Sequence, residues 1–203
     1  MLLASDMDGT LIPVADEDVA RTGLAHLSSA LRAHPRVTLA YVTGRHLALA
    51  LRAIDEHALP WPRFLACDVG TSIYEWDGAQ WVELQSWWDR LAVDWPESDA
   101  IIDRISDQPG LSVQEPERQT PFKISWYAPK LANPERFLSR LYQVISGLRA
   151  RLVYSVDETS GTGLLDVIPL SAGKLAAVEH LLRHTGIDRE STLFAGDSGN
   201  DLD

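Results

Sequence analysis

The sequence has a single cysteine, Cys67, among 203 residues, so no disulfide can form within the chain. That scarcity fits a reducing, cytoplasmic address. Cys67 closes the apolar run Phe64-Leu65-Ala66-Cys67 and reads as a small core residue rather than a nucleophile. Basic residues are scarce too. Eighteen Lys and Arg face 29 Asp and Glu, for a formal charge of −11 and a pI near 4.9. Phosphate backbones need basic patches, so nucleic acid is excluded as a partner, and an anionic membrane surface with it. No apolar run is long enough to span a bilayer, and the N-terminus lacks the basic-then-apolar pattern of a signal peptide. Repeats and low-complexity tracts are absent. What remains is a chain with 45% hydrophobic residues, enough for one core or for a core plus a small inserted domain. An acidic chain can still hold a small anion where local cations or a metal reverse the field.

The first strand supplies the strongest feature. Leu2-Leu3-Ala4-Ser5 runs directly into Asp6-Met7-Asp8-Gly9-Thr10. Two carboxylates that close repel, and each resists ionising in a dry setting. They are tolerated where a metal sits or where one of them reacts. The remaining pattern is strand, helix, strand, helix, strand. Leu24, Leu27 and Leu31 mark the first helix, Arg36 to Val42 the second strand, Leu47, Leu51 and Ile54 the next helix, and Phe64 to Cys67 the third strand. This order implies a parallel sheet with right-handed crossovers.

After Asp68 the pattern changes. Thr71 to Trp76 and Gln80 to Leu84 flank Asp77-Gly78 as a hairpin. Ile101, Ile102 and Ile105 predict a short helix, Phe122 to Tyr127 a half-buried strand, and Phe137, Leu141, Val144 and Leu148 one face of a helix opened by Asn133-Pro134. These elements define an α+β insertion over residues 80–160, inside an α/β core of residues 1–79 and 161–203. The parallel pattern is expected to resume with a strand over Leu164 to Ile168. A helix then opens at Lys174 with Leu175, Val178 and Leu182 inward, and a last strand, Thr192 to Ala195, follows.

Four polar motifs follow strands or open helices: Asp6-x-Asp8-Gly9-Thr10, Thr43-Gly44-Arg45, Lys174, and Gly196-Asp197-Ser198-Gly199-Asn200-Asp201. In an open parallel sheet, sites form at the carboxyl ends of the strands, which puts all four on one edge. Each alone has a plain reading as turn, cap or solvated residue. Their joint occurrence in this order does not.

In these motifs and their order the chain resembles the haloacid-dehalogenase superfamily of phosphatases, over essentially its whole length. The insertion is similar to the α+β (C2-type) cap of members that hydrolyse sugar phosphates. Gly70 to Tyr74, Phe122 to Ser125, Leu165 to Pro169 and Gly173-Lys174 resemble the sucrose-phosphate phosphatase subgroup and its relatives acting on glucosyl- or mannosyl-glycerate and glycerol phosphates. The resemblance implies a Rossmann-like parallel sheet with an inserted cap and an Mg2+-dependent phosphoric monoester hydrolase acting on sucrose 6-phosphate or a related glycosyl phosphate. It implies that Asp6 is the nucleophile and Asp8 the acid and base. The Mg2+ ligands would be the Asp6 carboxylate, the Asp8 carbonyl and Asp197. Thr43 and Lys174 would hold phosphoryl oxygens, with Gly44 and Asn200 beside them, and Asp201 would orient Lys174 or a metal-bound water. Arg45 has two readings, substrate contact and helix surface. In the cap, Gln119 and Lys123 are the candidates for choosing the sugar, while Trp87, Trp88, Trp95 and Trp126 read as packing ahead of stacking. Two other functions fit the same motifs: a sugar phosphomutase and a non-catalytic sugar-phosphate-binding module.

The chain departs from the family pattern at its end. The family continues past the fourth motif with another helix and strand, whereas this sequence stops at Asp203. The strand ending at Ala195 is therefore expected to form a sheet edge through which the chain could associate. The four motifs are still expected to converge.

Overall fold

The structure is a computed structural model that describes residues 1–12, 17–95, 98–157 and 160–197. Two compact units emerge, residues 1–87 with 173–203, and residues 88–172. The chain passes between them inside one helix and just before another.

The first unit holds β1 (Leu2–Ser5), α1 (Glu17–Ala33), β2 (Thr38–Val42), α2 (Leu47–Glu56), β3 (Phe64–Cys67), β4 (Ser72–Trp76) and β5 (Trp81–Glu83). The helix α3 (Gln85–Asp94) carries residues of both units. The second unit contains α4 (Ser98–Ile105), β6 (Ser112–Val113), β7 (Ile124–Ala128), α5 (Glu135–Val144), β8 (Ala150–Asp157) and β9 (Thr162–Pro169). The chain then returns to the first unit with α6 (Lys174–Thr185) and β10 (Thr192–Ala195).

In the first unit the sheet order is β10-β1-β2-β3-β4-β5. The strands from β10 to β3 are parallel, and the β4–β5 hairpin adds two antiparallel strands. Parallel strands are covered on both faces, which explains their near-continuous apolar runs. One face packs Leu39, Tyr41, Leu65 and Cys67 against Ala50, Ala53 and Ile54 of α2, with Leu24 and Leu31 of α1 beside them. Cys67 is fully buried there. Against β2 and β3 lies α6 as well. Its buried apolar residues are Ala177, Val178 and Leu181. The expected inward set of Leu175, Val178 and Leu182 is thus rotated: Leu175 is 39% exposed. Lys174 takes the buried place in the first turn, and Leu175, next to it, turns outward.

The second unit is an antiparallel sheet of order β6-β7-β9-β8, in contact with α5 along β8, while α4 packs on α5. Trp126, Leu141, Leu165 and Val167 are fully buried and form its centre.

Strand pairing moves both expected boundaries. β5 pairs with β4 in the first sheet, so the hairpin belongs to the core. The strand read over Leu164 to Ile168 does not return to the parallel sheet. It is β9, sandwiched antiparallel between β7 and β8. A short apolar run looks alike in either sheet, and only its partners decide. Among the described residues, β10 pairs with β1 alone, and no helix is long and apolar enough to cross a membrane.

Candidate active site

Adjacent parallel strands end level, and the main chain keeps pairing one residue further. The N–H of Asp6 donates to the Ala195 carbonyl at 2.8 Å, and the N–H of Thr43 donates to the Ala66 carbonyl at 2.8 Å. Asp6, Thr43 and the Gly196-Asp197 segment therefore leave neighbouring strands on the same edge, where α/β sheets form their sites.

Side-chain contacts join the four motifs. Lys174 Nζ lies 3.0 Å from Asp6 Oδ2, and the two side chains are only 4% and 7% exposed. A buried ion pair of this kind loses hydration on both sides, and removing either partner is costly. The Asp8 side chain is half exposed. Arg45 grips it with two bonds, Nε to Oδ2 at 2.9 Å and Nη2 to Oδ1 at 2.8 Å. This forked geometry is the strong form of an Arg–carboxylate pair. The hydrogen bonds to Asp8 raise the Arg45 pKa further above its ordinary value, so the guanidinium keeps its charge. The pairing adds a third role to the two readings of Arg45, substrate contact and helix surface: its Nε and Nη2 hold Asp8.

Gly9 explains itself by geometry. Its φ is +78°, and a Cβ there would overlap the Asp197 carboxylate. The absence of a side chain lets the fourth motif close onto the first. Thr10 Oγ1 donates to Asp197 Oδ1 at 3.5 Å, a long contact. Thr43 is fully buried. Its Oγ1 accepts the Arg45 N–H at 3.1 Å and shapes the loop ahead of α2. Asp6, Asp8, Thr43, Gly44, Arg45, Lys174 and Asp197 are thus brought to one edge of one unit. Asn200 and Asp201 lie outside the described residues.

The all-oxygen set of Asp6, the Asp8 carbonyl and Asp197 suits a hard divalent cation. Among the described residues no three His, Cys, Asp or Glu side chains cluster as a metal site. Three carboxylates against Lys174 and Arg45 also leave the edge net negative, and an anionic substrate needs further positive charge there.

In the second unit the candidates divide. Lys123 is 6% exposed. Gln119 is occupied by main chain: its Nε2 donates to the carbonyls of Gln114 and Ser125, both at 3.0 Å, and its Oε1 accepts the Ser125 N–H at 2.8 Å. It holds a turn against a strand, so direct sugar contact does not fit its surroundings. Trp126 and Trp95 are buried, as is Trp87 in the first unit, which supports packing for these three. Trp88 is 38% exposed, edge-on to Phe122.

A family model for sucrose-6F-phosphate phosphohydrolase matches residues 1–203. The chain belongs to this family. A putative HAD-like hydrolase of Nitrosococcus oceani is 40% identical over 210 residues, covering 100% of this chain and 56% of that protein. A glucosylglycerol-phosphate synthase of Pseudomonas anguilliseptica is 32% identical over 203 residues, covering 100% of this chain and 24% of that protein. The chain therefore spans from about a quarter to just over half of these two relatives. Among solved structures, the sucrose-phosphatase of Synechocystis sp. PCC6803, in complex with sucrose and phosphate, superposes with a TM-score of 0.81 at 30% identity. It covers 100% of this chain and 77% of that one. The parallel sheet with its inserted α+β unit is thus the haloacid-dehalogenase fold of the sucrose-phosphate phosphohydrolase family.

Proposed function

We propose that the chain hydrolyses a sugar phosphate through an aspartyl-phosphate on Asp6, with sucrose 6-phosphate or a related glycosyl phosphate as substrate. The observation that carries this reading is the buried Lys174–Asp6 pair at a strand end, with Asp8 two residues away on the exposed side. A carboxylate held in place by a buried cation is a poised nucleophile. A second carboxylate within the same short motif, open to solvent, is placed to exchange protons.

In the first step an Asp6 oxygen attacks phosphorus and the bond from phosphorus to the sugar oxygen breaks. Asp8 gives its proton to that oxygen. In the second step a water attacks phosphorus, its proton returns to Asp8, and the bond to Asp6 breaks, restoring the carboxylate. Lys174 and Thr43 hold phosphoryl oxygens as charge builds on them. Arg45 orients Asp8. Asp6, the Asp8 carbonyl and Asp197 would hold Mg2+, which supplies charge neutralisation between anionic nucleophile and anionic substrate.

Lys123 in the second unit is proposed to contact the sugar. The chain is proposed to work in the cytoplasm, consistent with its single cysteine buried in the core. The family and the Synechocystis complex support the substrate class, and the acidic composition supports a small molecule over nucleic acid.

The test is phosphate release across a panel of sugar phosphates, with and without Mg2+. Release from sucrose 6-phosphate or another glycosyl phosphate, lost on chelation, is expected. An isomerised sugar phosphate without free phosphate would establish a phosphomutase. No release from any panel member would leave a binding module.

A further inference from the structure

Three consecutive residues after β3 sit in left-handed backbone: Asp68 at φ 53°, Val69 at φ 60° and Gly70 at φ 82°. Glycine enters this region freely. A β-branched valine there is an outlier, and here an aspartate precedes it. All three residues are buried. Such backbone persists only where the surroundings over-determine it.

Those surroundings are two of the converging motifs. On one side the N–H of Asp68 donates to the Arg45 carbonyl at 2.9 Å, and the N–H of Val69 donates to the Thr43 carbonyl at 3.0 Å. The turn thus ties both ends of the Thr43–Arg45 loop through main chain. On the other side the place of a Cβ on Gly70 is filled by the Gly173 carbonyl and the Lys174 amide nitrogen. Those atoms open α6 and carry Lys174. Two further bonds fix the turn. Thr71 Oγ1 donates to the Asp68 carbonyl at 2.9 Å. The indole N–H of Trp87 donates to the Gly70 carbonyl at 3.2 Å. The Trp87 ring in turn lies against His180 of α6, with centroids 4.9 Å apart.

We infer that Asp68-Val69-Gly70 is a positioning element that sets the spacing between the Thr43–Arg45 loop and Lys174, and so fixes where Lys174 meets Asp6. Its kinetic consequence rests on the phosphatase reading, whereas its geometry does not. The left-handed path sends two successive N–H groups to one loop and turns the bare side of Gly70 toward α6. An alanine at Gly70 would meet backbone rather than a flexible side chain, so the start of α6 must shift and take Lys174 with it. The Lys174–Asp6 contact is 3.0 Å. Lengthening it by about 1 Å ends the hydrogen bond, and a misplacement of that size costs about 10²-fold in rate.

The experiment compares wild type, Gly70→Ala and Trp87→Phe. Trp87→Phe keeps a ring beside His180 and removes only the N–H. Phosphate release is measured with the wild type's best sugar phosphate, alongside Tm and amide hydrogen exchange. Gly70→Ala is expected to lose about 10²-fold in kcat while KM stays within about threefold, as when only transition-state contacts are lost. Exchange should rise at 43–45 and in the first turn of α6, with the sheet still protected. Trp87→Phe should move kcat the same way by a smaller factor. A folded Gly70→Ala with wild-type kcat overturns the inference, as does a loss matched by exchange rising throughout the unit. If Gly70→Ala does not fold, Trp87→Phe decides, and unchanged kcat with unchanged exchange at 43–45 overturns it. If wild type releases no phosphate from any panel member, the functional reading fails separately. The exchange pattern then decides alone: a local rise supports the turn's role, and no rise or a global one overturns it.

Discussion

In the core unit the charged side chains at the sheet edge hold one another, Lys174 from the start of α6 on Asp6 and Arg45 on Asp8. In the inserted unit the comparable polar side chains hold the main chain or a neighbouring strand. Gln119 bridges residues 114 and 125, and Gln114 Nε2 donates to the Trp126 carbonyl at 3.0 Å. Ser125 Oγ donates to Asp166 Oδ1 at 2.5 Å, across the β7–β9 pair. A parallel sheet gathers its chemistry for free, because its strand ends fall on one edge and their main-chain bonds are already made. A small antiparallel sheet with irregular turns needs side chains to complete its own hydrogen bonding. Polar residues in the two units therefore differ in meaning, and substitutions can break or sharpen that contrast.

The largest effect is expected from Asp6→Asn. The amide cannot attack phosphorus, so phosphate release should fall below detection. It keeps the size of Asp6 and an oxygen for Lys174, so circular dichroism should be unchanged. Residual turnover in a clean preparation would remove Asp6 from the nucleophile's role and dissolve the contrast at its strongest point.

Arg45→Met comes next. It keeps the stem of the side chain and frees Asp8. A fall in kcat of about tenfold is expected, part of the roughly 10²–10⁴ that a placed acid–base group supplies, with little change in KM. A large rise in KM instead would return Arg45 to substrate binding.

How much of this was legible follows the same division. The Asp6 motif could be placed at the sheet edge because it directly follows the apolar run of β1, and Lys174 because it opens the helix that leads into β10. The Arg45–Asp8 grip was missed, although β1 and β2 run in register with Ser5 opposite Tyr41. Asp8 and Arg45 lie three and four residues past that pair, and counting from it would have brought them together. Leu164 to Ile168 was assigned to the wrong sheet because an apolar run names no partner. Gln119 looked like a ligand residue because side-chain bonds to main chain leave no periodic trace. The turn carries little signal either, since the β-branched Val69 stands between Asp68 and Gly70, the two that tolerate positive φ.

Gln119→Ala and Lys123→Ala test the inserted unit as a pair. Gln119→Ala removes three hydrogen bonds and leaves the N–H of buried Ser125 without its acceptor. It should destabilise the protein by about 2 kcal/mol, read as a lower urea midpoint. Lys123→Ala should instead raise KM about tenfold while kcat stays within about threefold, the signature of lost ground-state binding. Equal loss of kcat and kcat/KM for Lys123→Ala would place it at the transition state. A pure KM effect for Gln119→Ala, with no loss of stability, would erase the distinction between the units.

The smallest effect concerns charge in the core away from the strand ends. Glu75 on β4 receives Arg63 through Nε at 3.0 Å and Nη2 at 2.8 Å, and His184 Nε2 at 3.2 Å. Burial pushes its pKa up, but the hydrogen bonds from Arg63 and His184 outweigh that, so the pKa falls below its ordinary value. A carboxylate with a depressed folded pKa stabilises the protein above its ordinary value and loses that contribution as pH falls through the folded one. Wild type should therefore lose stability as pH drops below about 4.5, and Glu75→Gln should flatten that part of the profile. Arg63 is largely exposed, so screening holds the difference at neutral pH to about 0.5 kcal/mol. Phosphate release should be unchanged, because the pair touches none of the strand-end motifs. A kinetic effect of Glu75→Gln would show that ion pairs elsewhere in the core reach the site, and that position at the sheet edge alone does not separate chemistry from structure.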